Sequence, residues 1–146
     1  MTDKEWTGRE ITPYNESKRR KSMSKEVYGF HGFWEGNKFE KYDFNALSRV
    51  GYIGYDINPK NGSYTSIHNW KTTNLHKRAA QYDVDVDLVA NLRGAKNIHD
   101  FLFQAGGEKV WNAFADSVIH LLNAQNADGL VLDFYQLAPA DNARFI

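Results

Sequence analysis

Cysteine is absent from the 146 residues, proline occurs three times and methionine twice. The missing cysteine excludes a disulfide scaffold and any metal site or nucleophile built on a thiolate. An excess of one charge is also missing. The chain sets 18 Lys and Arg against 18 Asp and Glu, a formal net charge of zero at pH 7. That balance argues against a protein held to nucleic acid or to an anionic membrane by total charge. No apolar run approaches the roughly 20 residues that span a bilayer. The N-terminal MTDKEWTGREI lacks the apolar h-region of a signal peptide. What is present is 42% hydrophobic and 14% aromatic residues. This composition is too rich for a wholly disordered chain. The length suits one domain that buries roughly two thirds of its unfolded surface.

Residues 1–24 differ from the rest. They are polar and charged, and carry the basic run Lys18, Arg19, Arg20 and Lys21 between two serines. They read as a flexible lead, with a folded domain over residues 25–146. Four basic residues carry too little specificity to define a nucleic-acid arm.

From residue 26 onward, β-branched and aromatic runs recur, bounded by Gly, Asn or Pro. They cover residues 27–34, 50–57, 84–92 and 129–135. Between the last two runs, Val110, Trp111, Phe114, Val118, Leu121 and Leu122 form one stripe of helical period. The spacing predicts a helix over 108–126. A second helix fits 73–82, with Leu75, Ala79 and Tyr82 on one side. A short helix is expected within 39–49. Asn58 to Ser63 is a strong turn, with Tyr64 to Trp70 returning from it. Strands that alternate with helices imply βαβ units and a parallel sheet. A strand buried on both faces explains why Leu130-Val131-Leu132 does not alternate. No strand is followed by a GxGxxG or GxxxxGK[ST] phosphate loop, so a nucleotide-binding domain loses support.

The last strand, Asp128-Gly129-Leu130-Val131-Leu132-Asp133-Phe134-Tyr135, resembles the signature strand of glycoside hydrolase family 18, the chitinase-like family, which runs D-G-x-D-x-D-x-E. VYGFHGFW is similar to that family's first barrel strand. VDLVANLRGAKNIHDFL, the helix after it and NADGLVLDF are similar to its third strand, third helix and fourth strand. The resemblance covers about residues 26–136. It implies an α/β, TIM-barrel-like fold of which this chain supplies the first four (β/α) units, since a full barrel needs about 250 residues. Half a barrel would leave two open sheet edges and an uncovered apolar interior. A longer chain, a second copy, or repacking into an open sheet with helices on both faces would each resolve this. The sequence stops where a fourth helix is expected to begin, as a fragment or a truncated homologue would.

The resemblance also implies a chemistry. In the family, the final Glu protonates the leaving oxygen and the middle Asp orients the substrate's own N-acetyl group, whose carbonyl oxygen attacks the anomeric carbon. Here Asp128 stands at the first Asp, Val131 replaces the second, Asp133 stands at the third and Tyr135 replaces the Glu. A tyrosine, with an ordinary pKa near 10, is a poor acid for an unactivated glycoside. The implied catalytic pair is therefore the degenerate Asp133 and Tyr135, with Asp133 as substitute acid if buried. The implied substrate-binding set is Trp34, Tyr28, Tyr55, Asp56, Asn91 and Asp128. Rings stack on sugars, while carboxylates and amides hydrogen-bond their hydroxyl and acetamido groups. Trp111 belongs to the core stripe. The expected ligand is a chitooligosaccharide, and the family suggests an exported or cell-surface setting. The other candidate partners are a second copy or the remainder of a longer chain.

No cofactor or metal is expected. His31, His68, His76, His99 and His120 fit no metal-binding spacing and read as surface or hydrogen-bonded residues. Asp83, Asp85 and Asp87 begin like a calcium loop, but Leu88 and Gly94 occupy the positions that need Gly and Glu.

Overall fold

The computed structural model describes residues 25–103 and 107–145. The proposed lead, residues 1–24, lies outside the described residues. Four parallel strands form the sheet: β1 (Tyr28–Gly32), β2 (Arg49–Ile57), β4 (Asp85–Arg93) and β5 (Gly129–Tyr135), side by side in that order. The short β3 (Tyr64–Ser66) returns antiparallel along the end of β2. The helices are α1 (Leu75–Ala80), α2 (Ala95–Phe103), α3 (Gly107–Gln125) and a final turn α4 (Asn142–Phe145).

Parallel strands need long crossovers, and the sequence supplies them. The β1–β2 crossover departs from expectation. Instead of a helix within 39–49, residues 38–46 form two 3₁₀ turns, Lys38–Lys41 and Phe44–Ala46, and Arg49 already opens β2. Each turn drops one phenylalanine, Phe39 and Phe44, into the core. After β2, the Asn58–Ser63 turn places Gly62 against the long helix. A side chain there would meet the Val110 carbonyl at 2.0 Å, and φ is +75°. Only glycine satisfies both conditions.

The core lies on one face of the sheet. Val50, Tyr52, Tyr55 and Ile57 of β2 and Val86, Leu88, Ala90 and Leu92 of β4 meet the buried stripes of α1, α2 and α3. Helical stripes therefore gather on one side, and of the three alternatives the open sheet with helices on both faces is not the one adopted. The other face carries Phe30, Gly51, Ile53, Asp87, Val89, Asn91, Val131 and Asp133, as strand parity and the register dictate. In a closed barrel this would be the inner face. On the core face, β5 leaves Leu130 and Leu132 exposed. Its apolar run is therefore not buried on both sides as the sequence suggested.

Near the start of the strands, Tyr28 donates its hydroxyl to Asp87 at 2.9 Å, and Arg49 Nε lies 3.5 Å from the same carboxylate. Asp87 is 4% exposed, and its Oδ1 packs against Gly129, where a Cβ would stand 2.5 Å away. Burial raises the Asp87 pKa, the Tyr28 bond and Arg49 oppose this, and Asp128 and Asp85 add to it. Because the folded-state pKa exceeds the unfolded one, the native state binds the proton more tightly. Charging Asp87 therefore penalises the fold fully above its folded pKa, and the penalty disappears as pH falls to the unfolded value. Asp87→Asn is expected to raise stability more at pH 7.5 than at pH 4.5, as read by chemical denaturation. An equal change at both pH values would show that Asp87 carries no such penalty.

Candidate functional site

At the C-terminal ends of the strands, the inward-type face opens into a cleft of about 610 Å³, lined among others by Phe33, Trp34, Ile53, Asp56, Asn91 and Arg93. Each arrives by a local rule. β1 ends at Gly32, and Phe33 and Trp34 start a 3₁₀ turn, Phe33–Glu35. Gly32 permits the next step, because the Trp34 ring lies where a Gly32 side chain would be, 2.3 Å from an ideal Cβ. Trp34 thus folds back over the end of β1 and still remains 64% exposed. Beneath this rim, buried His31 donates from Nε2 to the Gly36 carbonyl at 3.1 Å, and its Nδ1 lies 2.9 Å from the Tyr42 hydroxyl. Burial holds its pKa below the usual histidine value.

The polar centre of the cleft is Asp56. Asn91 Nδ2 donates to Asp56 Oδ1 at 2.8 Å and to the Tyr55 carbonyl at 3.2 Å. His68 Nε2 lies 2.8 Å from Asp56 Oδ2. The Phe33 ring stacks on the His68 imidazole, with centroids 3.4 Å apart and planes 6° from parallel. Sheet register then sets Asp133 beside Asn91 and Tyr135 beside Arg93. Asp56, Asn91 and Asp133 form one row across three strands, at roughly 4.8 Å per step.

The predicted site residues divide accordingly. Trp34, Asp56 and Asn91 line the cleft, and Asp133 and Tyr135 extend its row on the same face. Three others are elsewhere. Tyr55 is fully buried on the helix side, where its hydroxyl donates to Ser117 Oγ at 3.1 Å. A register shift between Ile53 and Tyr55 inverts the strand's phase there, so Tyr55 turns to the core and Asp56 to the cleft. Tyr28 sits at the opposite end of the strands, bound to Asp87. Asp128 precedes β5 and accepts from the Val86 amide at 2.8 Å, a strand-anchoring role.

Asp133 and Tyr135 are both exposed, Tyr135 at 63%. Asp133 is therefore not the buried carboxyl that the substitute-acid reading requires. Trp111, expected in the core, packs against it partly buried and donates Nε1–H to the Phe101 carbonyl at 3.0 Å.

Sequence reasoning missed His68 and Phe33. His68 stands 12 residues from Asp56 with no metal-like spacing. The available signal was the turn at 58–63: a return strand brings Ser66 opposite Asp56, and His68 follows. Among the described residues, no group of three or more His, Cys, Asp or Glu could hold a metal ion. No described helix is long and apolar enough to cross a membrane.

Solved structures share this fold. A chitinase from Bacteroides thetaiotaomicron superposes with TM-score 0.64 at 14% identity, over 83% of this chain and 39% of that one. The fold is chitinase-like. A class V chitinase from Nicotiana tobaccum, also solved in complex with NAG4, matches with TM-score 0.63 at 18% identity over 81% of this chain and 35% of its own. The Bacillus cereus spore cortex-lytic enzyme SleL gives 0.64 at 14% identity over 82% and 29%. The chitinase-like chain thus spans between 29% and 39% of the length of these three structures. At these identities the likeness establishes the fold. No family model matches the sequence, and no curated protein matches it.

Proposed function

We propose that this chitinase-like chain binds N-acetylglucosamine-type oligosaccharides in the cleft without hydrolysing them by the acid-assisted route. The observation that carries the reading is the pairing of the exposed Trp34 ring with the tethered Asp56 carboxylate at the C-terminal ends of parallel strands. A pyranose has an apolar face and a belt of hydroxyls. A ring beside fixed acceptors suits both. The family's catalytic carboxylate position holds Tyr135, and Asp133 is exposed. Neither supplies a proton donor suited to an unactivated glycosidic oxygen. The binding unit is taken as residues 25–146, with 1–24 as a lead.

Titration of tryptophan fluorescence with chitooligosaccharides of increasing length tests the proposal. Saturable binding that tightens with length is expected, with no turnover of a chromogenic chitooligosaccharide. A flat titration on folded protein would reject carbohydrate binding, and turnover would reject the loss of catalysis. A second reading, assembly through the sheet edges, draws on exposed Leu130 and Leu132 along β5. It requires a molecular mass that rises with concentration.

A further inference from the structure

We propose that His68 is the positioning residue of this cleft: it fixes the Asp56 carboxylate and the Phe33–Trp34 rim in a single arrangement that receives a sugar ring. The inference deepens the carbohydrate-binding reading and rests on it.

His68 is a non-glycine residue in the left-handed region, with φ +46°. Backbone of this kind persists only where the surroundings over-determine it, and it gathers at functional positions. The surroundings here are specific. The His68 amide donates to Ser66 Oγ at 3.1 Å. The ring lies flat against Phe33, and Nε2 meets Asp56 Oδ2 at 2.8 Å. A carboxylate only accepts, so Nε2 carries the proton and donates. Phe33 in turn meets Trp34 edge-on, with centroids 5.0 Å apart and planes at 81°. One imidazole therefore touches both halves of the site, through its edge to the acceptor and through its face to the aromatic rim.

The consequence for Asp56 is geometric. Asn91 takes one lone pair of Oδ1 and His68 takes one of Oδ2. Each oxygen keeps another, so the carboxylate is held with two acceptor positions unused by these bonds. Asp56 lines the cleft together with Trp34. Two neighbouring hydroxyls on one edge of a pyranose, with its apolar face on Trp34, match that pattern. If the carboxylate swings or the rim drifts, the two contacts no longer fit one ring. Preorganisation of this kind raises affinity by removing ordering costs at the moment of binding.

The two functions of the imidazole can be separated. His68→Phe keeps a ring for Phe33 to stack on and loses the donor to Asp56. His68→Gln keeps an N–H donor and loses the stack. Both are compared with the unaltered chain by chitooligosaccharide titration, thermal unfolding and ¹⁹F NMR of fluorotryptophan-labelled protein, with the Trp34 resonance assigned by Trp34→Phe. Both variants should bind about tenfold more weakly, as expected for loss of one charge-assisted bond or of its aromatic counterpart. Only His68→Gln should shift and broaden the Trp34 resonance, while the Trp70 and Trp111 resonances stay in place. Wild-type affinity in both folded variants would overturn the proposal. So would equal disturbance of the Trp34, Trp70 and Trp111 resonances, which marks a general structural role. If the unaltered chain binds no chitooligosaccharide, the carbohydrate reading fails, and the Trp34 resonance still decides the positioning role: selective displacement in His68→Gln supports it, and an unmoved resonance overturns it.

Discussion

Trp34→Ala should lower chitooligosaccharide affinity by about thirtyfold, the largest effect expected from any single change in the cleft. The estimate comes from area. Trp34 is 64% exposed in the free protein, so most of one ring face is available to a ligand. Covering roughly 80 Å² of apolar surface at about 25 cal/mol per Å² yields about 2 kcal/mol, which corresponds to about thirtyfold. Aromatic anchors of this kind commonly dominate a binding surface. Stability should hardly change, because an exposed ring contributes little burial on folding. Gly32→Ala is the companion variant. Its backbone, at φ −81° and ψ 140°, accepts any residue, but the new methyl occupies the space of the Trp34 ring. It should therefore displace the ring and weaken binding while leaving the fold intact. Isothermal titration of both variants measures this. Wild-type affinity in Trp34→Ala would place the ligand elsewhere.

Trp70→Ala should destabilise the protein by about 3–5 kcal/mol, the cost of emptying a large buried site. Trp70 is fully buried between β2, the long helix and α1. Its Nε1–H donates to the Leu121 carbonyl at 3.2 Å, and its ring meets Tyr52 at 5.5 Å and His76 at 4.4 Å. One residue thus joins α3, β2 and the segment that leads into α1. Single domains are stable by only about 5–15 kcal/mol, so this loss takes a large share. A fall in melting temperature of roughly 10–20 °C is expected for a chain of this size. Trp70→Phe should cost less, since it keeps a ring and loses the indole bond. A fall of only a few degrees in Trp70→Ala would show that the core closes around the gap.

The elements with strong periodicity were legible. The stripe from Val110 to Leu122 gave α3 within a residue at each end, 107–125 against 108–126. The turn at Asn58–Ser63 correctly preceded a return strand. The segment 39–49 misled because its aromatics are spaced for two separate 3₁₀ turns, each burying one ring, rather than for one helical face. The helix α2 was not predicted, although Ile98, Phe101 and Leu102 stand at i, i+3 and i+4 and are all buried.

The site was legible in part, for a physical reason. Residue type placed Trp34, Asp56, Asn91 and Asp133 near strand ends, where ligands of parallel sheets gather. Type and parity could not show that β2 shifts register between Ile53 and Tyr55. Tyr55 and Asp56 are adjacent and face opposite ways, so only one could line the cleft, and the bulge chose. Parity also could not show that Tyr28 serves the far end, bonded to Asp87 59 residues away.

By itself, then, the sequence determined the order of the four main strands, the long helix between the last two, the parallel sheet and the tyrosine at position 135. These follow from local pattern and from residue identity. Tertiary structure alone decided which side chains share a face, that His68 clasps Asp56 beneath Phe33, and that Asp133 stands exposed. Such facts depend on register and on layers packed from distant segments, which no local window of the chain contains.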